Sequence, residues 1–467
     1  MKVTVPGLRV AIANSSDSFR DLRRRVKADQ ILIDLVGITK VGAKRGLSVK
    51  KRRNTRVLML LENSHYPQDP RVRRESKDLL AAGYQVSVIC PANPGQPRRE
   101  IVEGVRVYRY PVPWVLNGPM GYLWEYSYSM AATLLTSLAV FWREGFDIIH
   151  AANPPDTFAL IAAPFRLLGK RFVYDHHDLA PEMYLARFSG KGNRFLHWML
   201  VALEKLSYRL ADHVIVTNES YRLHSLRRGV GDEKITIVRN GPDLDRLSRT
   251  EPNQDLRKMS PMIVGYMGVT GFQDGVDCLL RAIHRLVHEL GRPDFLCAVV
   301  GDGDALPALR SLAQQLRITE HVLFTGWVQL KEVGQYINAM DICVAPEPSN
   351  LYNDQSTAIK IMEYMAAGKP IVAFDLPEHR YSAQGAAIYA RPNDELELAR
   401  AIALLMDDPA RREAMGSLGR RRVETELAWQ YSTPYLLDAY ERVEGKPKQG
   451  AVEKARRQLA VGSDRRK

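Results

Sequence analysis

The 467-residue chain has only four cysteines, and each of them, Cys90, Cys278, Cys297 and Cys343, stands alone in an apolar run. No CxxC pair and no cysteine–histidine spacing of a zinc site occurs, which excludes a disulfide framework or a structural zinc site as the organising feature. We expect the four thiols to be core residues in a reducing compartment. The N-terminus has no apolar segment after its charged residues, so no signal peptide is expected.

Long hydrophobic runs are also scarce. The least charged stretch, Tyr126–Trp142, is seventeen residues long and includes Ser and Thr. A membrane-spanning helix needs about 20 consecutive apolar residues. A core or interfacial helix is therefore favoured over a transmembrane one.

Acidic side chains are outnumbered, with 53 Asp and Glu against 66 Lys and Arg, and the net charge is +13. Residues 1–60 hold fifteen basic and four acidic side chains, and residues 444–467 hold eight and three, which leaves −3 on residues 61–443. Because the folded part carries no basic excess and no known module, nucleic acid is not an expected partner. Residues 1–54 and 446–467 lack sustained periodicity and are predicted to be flexible basic arms.

From residue 55 onward, apolar runs of strand length alternate with helical patterns. Continuous apolar strands joined by helices are typical of a parallel sheet covered on both faces. Residues 241–260 are polar and contain prolines, which predicts a linker between two such series. The fold class is therefore α/β, with two doubly wound, Rossmann-like domains over 55–240 and 261–425 that face each other across a cleft. Residues 426–445 are predicted to form a C-terminal helix that packs back on the first domain.

The segment 353–376, NDQSTAIKIMEYMAAGKPIVAFDL, carries the strongest local pattern. Ser356 or Thr357 is expected to cap a helix, Gly368 to be its left-handed C-terminal residue, and Pro370 to prevent its continuation. A helix that begins at the end of a strand presents free backbone N–H groups to a phosphate. The segment therefore predicts a phosphate-binding helix start.

Lys360 and Glu363 share one face of this helix, three residues apart. Lys360 would add a cation near the phosphate, and Glu363 could accept hydrogen bonds from two ribose hydroxyls. An ordinary surface helix with a Lys–Glu pair is the alternative, and spacing alone favours it.

The same segment resembles the donor-binding signature of glycosyltransferase family 4, whose members have the GT-B fold. In that family two glutamates with seven residues between them precede an Ala-Met-Ala-x-Gly-x-Pro stretch. Glu363 matches the second glutamate, which holds the donor ribose, and Gln355 falls at the first, which contacts the transferred sugar. The resemblance covers roughly residues 55–445 and includes RNGPD at 239–243 and VVGDGDALPALRSLA at 299–313. It implies that the first domain binds the acceptor and the second binds a nucleoside-diphosphate sugar.

The first loop of the second domain departs from the family pattern. Family members present an Arg and a Lys there to neutralise the leaving diphosphate, whereas Val269 and Asp274 stand at those positions in the loop 268–277. The charge of a leaving diphosphate still needs stabilisation. Lys360 is the first candidate for this role, followed by Arg71 and Arg74 of the opposite domain.

Other candidate residues follow predicted strands. His177 and Asp178 match a family position at a strand end in the cleft, and a solvated polar strand end is the alternative. Adjacent histidines point apart, so His176 and His177 do not predict a metal site. Asn153 and Asp156 follow another strand, where acceptor contact and helix capping by Asp156 are equally plausible.

The resemblance implies a glycosyltransferase that moves a sugar from a nucleoside-diphosphate donor to a glycan or lipid-linked acceptor, with retention, in bacterial cell-surface polysaccharide or glycolipid synthesis. It also implies that no metal takes part, and no cofactor is expected. The basic arms and the aromatic segment 114–142 predict a cytoplasmic protein that is peripheral on the inner face of the cell membrane. A non-catalytic nucleotide-sugar binder and a nucleotide-sugar epimerase of the same fold are the alternatives. The expected catalytic residues are His177, Asp178, Lys360 and Gln355, and the expected donor-binding residues are Glu363, Ser356, Thr357, Gly268, Gly301 and Gly303.

Overall fold

A computed structural model describes residues 55–113, 119–188, 190–242, 244 and 250–445. The predicted arms, 1–54 and 446–467, lie outside the described residues. Within the described part of the chain, every helix is too short or too polar to cross a membrane.

The first sheet has eight strands, β1 Arg56–Leu60, β2 Gln85–Pro91, β3 Arg99–Val102, β4 Val105–Tyr110, β5 Ile148–Ala152, β6 Arg171–His176, β7 His213–Val216 and β8 Ile235–Ile237. Their order is β3-β4-β2-β1-β5-β6-β7-β8, and all neighbours are parallel except β3, which runs antiparallel to β4 at one edge. Its helices are α1 Pro70–Ala81, α2 Pro119–Arg143, α3 Phe158–Leu167, α4 Ala180–Arg187, α5 Arg194–Leu210 and α6 Glu219–Arg227.

The second sheet has six strands, β9 Ile263–Met267, β10 Leu296–Val300, β11 Val322–Gly326, β12 Ile342–Ala345, β13 Ile371–Phe374 and β14 Ala387–Ala390. Their order is β11-β10-β9-β12-β13-β14, and every pair is parallel. The helices of this part are α7 Gln254–Met259, α8 Val276–His288, α9 Leu306–Gln315, α10 Val333–Ala339, α11 Ile359–Ala366, α12 Pro377–Ala383, α13 Glu395–Asp407, α14 Pro409–Arg422 and α15 Thr433–Val443.

The sequence explains why both sheets are buried on both faces. Strands such as Leu296–Val300 are continuous apolar runs without alternation, and every residue in this strand is buried. The side chains on its two faces enter two different apolar clusters, one on each side of the sheet. All four cysteines are buried and unpaired, as expected of core residues. The prediction of two α/β domains with parallel sheets is therefore confirmed.

The order of the strands predicts where each sheet binds ligands. In the second sheet the order reverses between β9 and β12, and in the first between β1 and β5. Open parallel sheets bind ligands at the carboxyl ends of their strands, at such reversals. The loops after β1, β5, β9 and β12 are therefore where chemistry is expected.

Two details of the sequence interpretation were wrong. Part of the predicted linker is helix α7, where Leu256 is buried in the core of the second domain, and Asn253 caps its start. The predicted capping of α11 by Ser356 or Thr357 does not occur, because the N-cap residue is Ala358. Gly368, with φ of 68°, does adopt the left-handed conformation expected after that helix.

The last helix packs on the first domain. Leu436, Ala439 and Tyr440 of α15 are buried in the same apolar cluster as strands β1 and β2. The chain therefore leaves the second domain and contributes its final helix to the first.

Candidate active site

Glycines shape the second domain's edge of the cleft. A Cβ on Gly301 would lie 1.9 Å from the Gly268 carbonyl oxygen, and one on Gly303 would lie 2.7 Å from that of Thr270. The loop after β9 therefore packs directly on the Gly-Asp-Gly turn after β10, held by a hydrogen bond from Thr270 N to Asp302 O at 3.1 Å. This packing accounts for the two glycines. Their predicted approach to a nucleotide stays a prediction.

Lys360 lies in the first turn of α11 beside this loop. Its Nζ is 2.5 Å from Glu347 Oε1 and 3.8 Å from Asp274 Oδ1, and it donates to the Tyr266 hydroxyl at 3.0 Å. Burial alone would lower the pKa of Lys360, but Glu347, Tyr266 and Asp274 raise it well above its usual value. Lys360 is therefore charged, and two carboxylates already balance its charge. Glu363 follows one turn later on the same helix and is half-buried.

Asp274 occupies the family's lysine position and adds negative charge here. Burial and the nearby Glu347 carboxylate raise the pKa of Asp274, while Lys360 opposes the shift. A diphosphate that arrived beside Lys360 would favour protonation of Asp274 further, because like charges disfavour each other.

The loop before α11 binds the first domain instead of capping the helix. The Ser356 hydroxyl lies 3.0 Å from the Tyr221 hydroxyl, and Thr357 Oγ1 accepts from Asn218 Nδ2 at 2.9 Å. Gln355 Nε2 donates to Leu351 O at 2.7 Å. The Gln355 side-chain oxygen accepts from Arg227 Nη2 at 3.2 Å.

These contacts bear on two predicted roles. Both polar groups of the Gln355 amide are directed to protein partners, and Ser356 and Thr357 bridge the two domains. Their predicted roles in sugar and donor binding stay predictions.

His177 and Asp178 lie at the end of β6, at the cleft edge of the first domain. His177 Nδ1 is 3.2 Å from Asp175 Oδ2, and Asp178 Oδ1 accepts from the Tyr352 hydroxyl of the opposite domain at 3.1 Å. Burial alone would lower the pKa of His177, but the Asp175 carboxylate raises it. Burial raises the pKa of Asp178.

Asn153 positions the turn that carries both residues. Its Oδ1 accepts from the backbone N–H groups of His177 at 2.8 Å and of Asp178 at 3.1 Å, and its Nδ2 donates to Asp178 O at 2.7 Å. Asp156 does not cap α3. It is buried with its Oδ1 bonded to the Tyr174 hydroxyl at 2.5 Å, and burial raises its pKa to about 7.

A buried ionic cluster contacts His177 through Asp175. Arg71 Nη2 lies 2.6 Å from Asp175 Oδ1 and 3.2 Å from Glu75 Oε1, and His150 Nε2 lies 3.3 Å from Glu75 Oε2. Burial alone would raise the pKa of Asp175, but the charges of Arg71 and His177 hold it well below its usual range. Three groups that can carry a positive charge thus lie among the carboxylates of Asp175 and Glu75, and the Asp178 carboxylate also acts on His177.

Arg71 and Arg74 were candidates for the cation that stabilises the leaving diphosphate, and their contacts bear on this role. Arg71 is committed to Asp175 and is not available as a substitute cation. Arg74 donates to Gly241 O at 2.9 Å and stacks over Trp429, so it is committed as well.

Two groups of side chains in the described part of the chain have the spacing of metal ligands, Glu75–His150–Asp175 and Glu182–Glu204–His224. An arginine already neutralises each group. Arg71 binds the first, and Arg228 Nε lies 2.7 Å from Glu204 Oε2 in the second. His176 points into the second group, away from His177, and burial lowers its pKa to about 3.

The residues that contact the predicted site residues were not identified from the sequence. Glu347 follows a buried strand between two prolines, a placement that fixes a buried carboxylate near the cleft, and this pattern could have been noticed. Asn218 and Tyr352 gave no comparable indication, because their roles depend on a contact between domains far apart in sequence.

Two family models match the chain, a glycosyl transferase 4-like domain over residues 68–241 and a glycosyl transferases group 1 domain over residues 261–408. Together they cover more than two thirds of the sequence. The chain belongs to glycosyltransferase family 4. Membership favours a transferase over the non-catalytic binder and the epimerase.

Named relatives agree with this assignment. The transferase is 25% identical over 390 residues to 2-deoxystreptamine glucosyltransferase of Streptomyces kanamyceticus, covering 80% of this chain and 98% of the relative. It is 25% identical over 379 residues to glycogen synthase of Mycobacterium tuberculosis, covering 77% and 87%.

Solved structures share its fold. Sucrose-phosphate synthase from Thermosynechococcus elongatus has a TM-score of 0.68 at 20% identity, covering 84% of the transferase and all of that chain. Anabaena HepE in complex with UDP-glucose has a TM-score of 0.63 at 17% identity, covering 83% and all of that chain. The transferase therefore has the predicted GT-B fold.

Proposed function

We propose that the transferase moves a sugar from a nucleoside-diphosphate sugar to a hydroxyl of a glycan or lipid-linked acceptor. The bond from the anomeric carbon to the diphosphate breaks, and a bond to the acceptor oxygen forms on the same face, so configuration is retained. The acceptor proton leaves with the diphosphate. Neither a metal nor a further cofactor takes part in this proposal.

One arrangement carries the proposal. Helix α11 begins at the cleft edge of the second domain with Lys360 and Glu363 in its first two turns, and the His177 edge of the first domain is joined to the loop before it through Tyr352 and Asp178. In this proposal the donor and the acceptor are bound at the two edges of one crevice. The complex of Anabaena HepE with UDP-glucose supports a nucleoside-diphosphate sugar as donor.

In this proposal the two edges of the cleft share the charge of the leaving diphosphate. Lys360 alone is outnumbered by Glu347 and Asp274. The proposal therefore assigns a second positive charge to His177, whose pKa the Asp175 carboxylate raises. Closure of the two domains on the donor would bring His177 toward the phosphate, where a cation in a water-poor site is most effective.

The location is part of the proposal. Helices α2, α3 and α5 lie side by side on one face of the first sheet. They expose large apolar side chains at Leu135, Leu138, Trp142, Leu160, Leu167, Phe195 and Trp198. An apolar face, in a chain whose two ends are basic, fits an anionic membrane surface. We therefore place the enzyme on the cytoplasmic face of a bacterial membrane, where cell-surface polysaccharides and glycolipids are built.

Glu363→Ala tests the donor site. Removing a carboxylate that accepts two ribose hydroxyls should weaken the binding of a nucleoside diphosphate by about tenfold to a hundredfold, since each charged hydrogen bond contributes roughly 1.5–3 kcal/mol. Calorimetry with UDP, GDP and ADP on the full chain measures this. Glu413→Gln, at an exposed position on α14, is the matched control. Unchanged affinity in Glu363→Ala would refute the donor-site assignment.

A further inference from the structure

A cavity of about 300 Å³ opens at the cleft edge of the first sheet, away from the residues assigned to the donor. Glu62 follows β1, Pro91 ends β2, Tyr110 ends β4, and Glu125 reaches it from α2. The cavity lies over the carboxyl ends of β1, β2 and β4, the edge at which parallel sheets bind ligands. Its volume is at the lower end of the roughly 300–1,000 Å³ typical of ligand pockets, which suits a group about the size of one ring.

The charge of the cavity has one sign. Among the described residues, its lining includes the carboxylates of Glu62 and Glu125 and neither lysine nor arginine. A second cavity of about 380 Å³ also borders Tyr110, and it is lined by Arg98, Arg99, Arg109 and Arg143. The first domain thus holds an acidic and a basic cavity side by side. Only the acidic one lies against the loop after β1.

Among the described residues, no lysine or arginine lines the acidic cavity. The groups acting on Glu62 are the Glu125 charge and a hydrogen bond with Ser129, and burial raises the pKa of Glu62 to about 6. Tyr110 is 3% exposed, and the Ser129 and Thr133 hydroxyls lie near its hydroxyl, but no described residue meets it in hydrogen-bond geometry. A buried, unpaired hydroxyl beside two carboxylates is an arrangement that a bound hydroxylated cation would satisfy.

We propose that this cavity binds the ammonium group of an acceptor that carries both amine and hydroxyl groups, as an aminocyclitol or an amino sugar does. The inference rests on the proposed glycosyl transfer and narrows its acceptor class. Ammonium would pair with Glu62 and Glu125, and a neighbouring hydroxyl of the acceptor would bond to Tyr110. Strand β5 separates β1 from β6, so the cavity wall formed by the loop after β1 lies about 10 Å from the His177 edge, and the wall at β4 lies about 20 Å from it. The acceptor thus keeps its amine here and presents a hydroxyl toward the donor.

Matched pairs of acceptors test the proposal on the full chain. Streptamine is compared with myo-inositol as a soluble pair, and octyl glucosaminide with octyl glucoside as a lipid-like pair, each with a nucleoside diphosphate present. Calorimetry should show at least about tenfold tighter binding of the amine in one or both pairs. A preference only in the soluble pair identifies a free acceptor, and one only in the octyl pair identifies a lipid-linked acceptor.

Two isosteric variants test whether the preference for the amine acceptor arises in this cavity. Glu62→Gln and Glu125→Gln should each reduce the amine-to-hydroxyl preference about tenfold, while the affinity for the nucleoside diphosphate stays the same. Glu233→Gln, an exposed carboxylate of the same domain, is the control. An unfolded variant would be recognised by its loss of nucleoside diphosphate binding, and Glu62→Asp then serves as the conservative replacement.

Proton linkage gives a readout that a structural role would not produce. The groups facing Glu62 are Glu125 and Ser129 from α2, Tyr110 from β4, and His65 from the loop after β1. A bound ammonium lowers the pKa of Glu62, so binding near pH 6 should release protons, and the measured enthalpy should depend on the ionisation enthalpy of the buffer.

The outcomes separate this inference from the proposed function. Nucleoside diphosphate binding without any amine preference would overturn the inference and leave the donor assignment intact. Failure of the wild-type chain to bind a nucleoside diphosphate would overturn the proposed function. Saturation of the cavity by Mg²⁺ alone, with no amine preference, would also overturn the inference.

Discussion

At the scale of single residues, Lys360 lies on the predicted helix, but a carboxylate that the sequence did not indicate already pairs with its charge. Its ammonium group is paired with Glu347, whose side chain is only 9% exposed. Lys360 holds the pKa of that carboxyl below its ordinary value against the effect of burial. Loss of one partner of a buried ion pair is destabilising because the other charge is left unpaired.

Lys360→Met should therefore lower the free energy of unfolding by about 3–5 kcal/mol. The double variant Lys360→Met/Glu347→Gln removes both charges and should recover most of this loss. If Lys360 also contacts the diphosphate, turnover should stay low in both variants. Urea unfolding and initial rates measure the two effects, and wild-type turnover in the double variant would assign the cationic role elsewhere.

Residue identities were predictable where a motif carried them. Lys360 and Glu363 lie on one short helix and Gly368 follows it, so their positions on this helix could be read from the segment itself. The Glu347 carboxylate, which pairs with Lys360, follows strand β12. No local pattern encodes that contact, because the packing of α11 against the end of β12 creates it.

At the scale of elements, β5, β6, α1 and α15 are joined by buried polar groups. His150 on β5 contacts Glu75 of α1, and its Nδ1 lies 2.9 Å from the Tyr440 hydroxyl of α15. Burial alone would lower the pKa of His150, but hydrogen bonds and charges from Asp175 and Glu75 raise it to about 9. The His150 imidazolium therefore joins β5 to α1 through Glu75 and to α15 through Tyr440.

This pKa predicts how stability depends on pH. The folded protein keeps the His150 proton up to about pH 9, whereas an unfolded chain releases it near pH 6.5. The stabilisation is therefore complete below pH 6.5 and is lost as pH rises through 9, and it amounts to about 3 kcal/mol. Urea unfolding at pH 6.5, 8 and 9.5 should show this decrease in the wild type.

The variant His150→Gln should flatten that dependence, because no imidazolium remains to titrate. His288→Gln, an exposed histidine at the end of α8, should keep the wild-type slope. An unchanged slope in His150→Gln would show that another group is responsible.

Elements were predictable where apolar runs were long. The strands of both parallel sheets and helices such as α5 and α8 follow directly from hydrophobic periodicity. Short or exposed elements were missed, among them the antiparallel edge strand β3, whose residues alternate between exposed and half-buried. Helix α7 was also missed, because a single buried leucine in a polar segment leaves no periodic pattern to read.

At the scale of the whole molecule, charge is divided between the ends and the folded body. The body between residues 61 and 443 has a net charge of −3, and residues 1–54 carry fourteen basic and four acidic side chains. Within the described body, cationic groups and carboxylates are paired at both edges of the cleft, around His177 and around Lys360. The overall charge of +13 therefore says little about the active site and bears mainly on where the enzyme is located.

Deleting residues 1–54 should weaken binding to vesicles that contain anionic phosphatidylglycerol, because each Lys or Arg near such a surface contributes about 1 kcal/mol. Co-sedimentation at 50 and 300 mM salt measures this, and the salt dependence should fall with the charge. Trp142→Ser, a change at an exposed position of α2, should weaken binding equally at both salt concentrations, since its contribution is apolar. Neutral phosphatidylcholine vesicles are the control. Equal binding of the truncated and full chains to anionic vesicles would reject the arm as an anchor and leave α2, α3 and α5 as the membrane-facing surface.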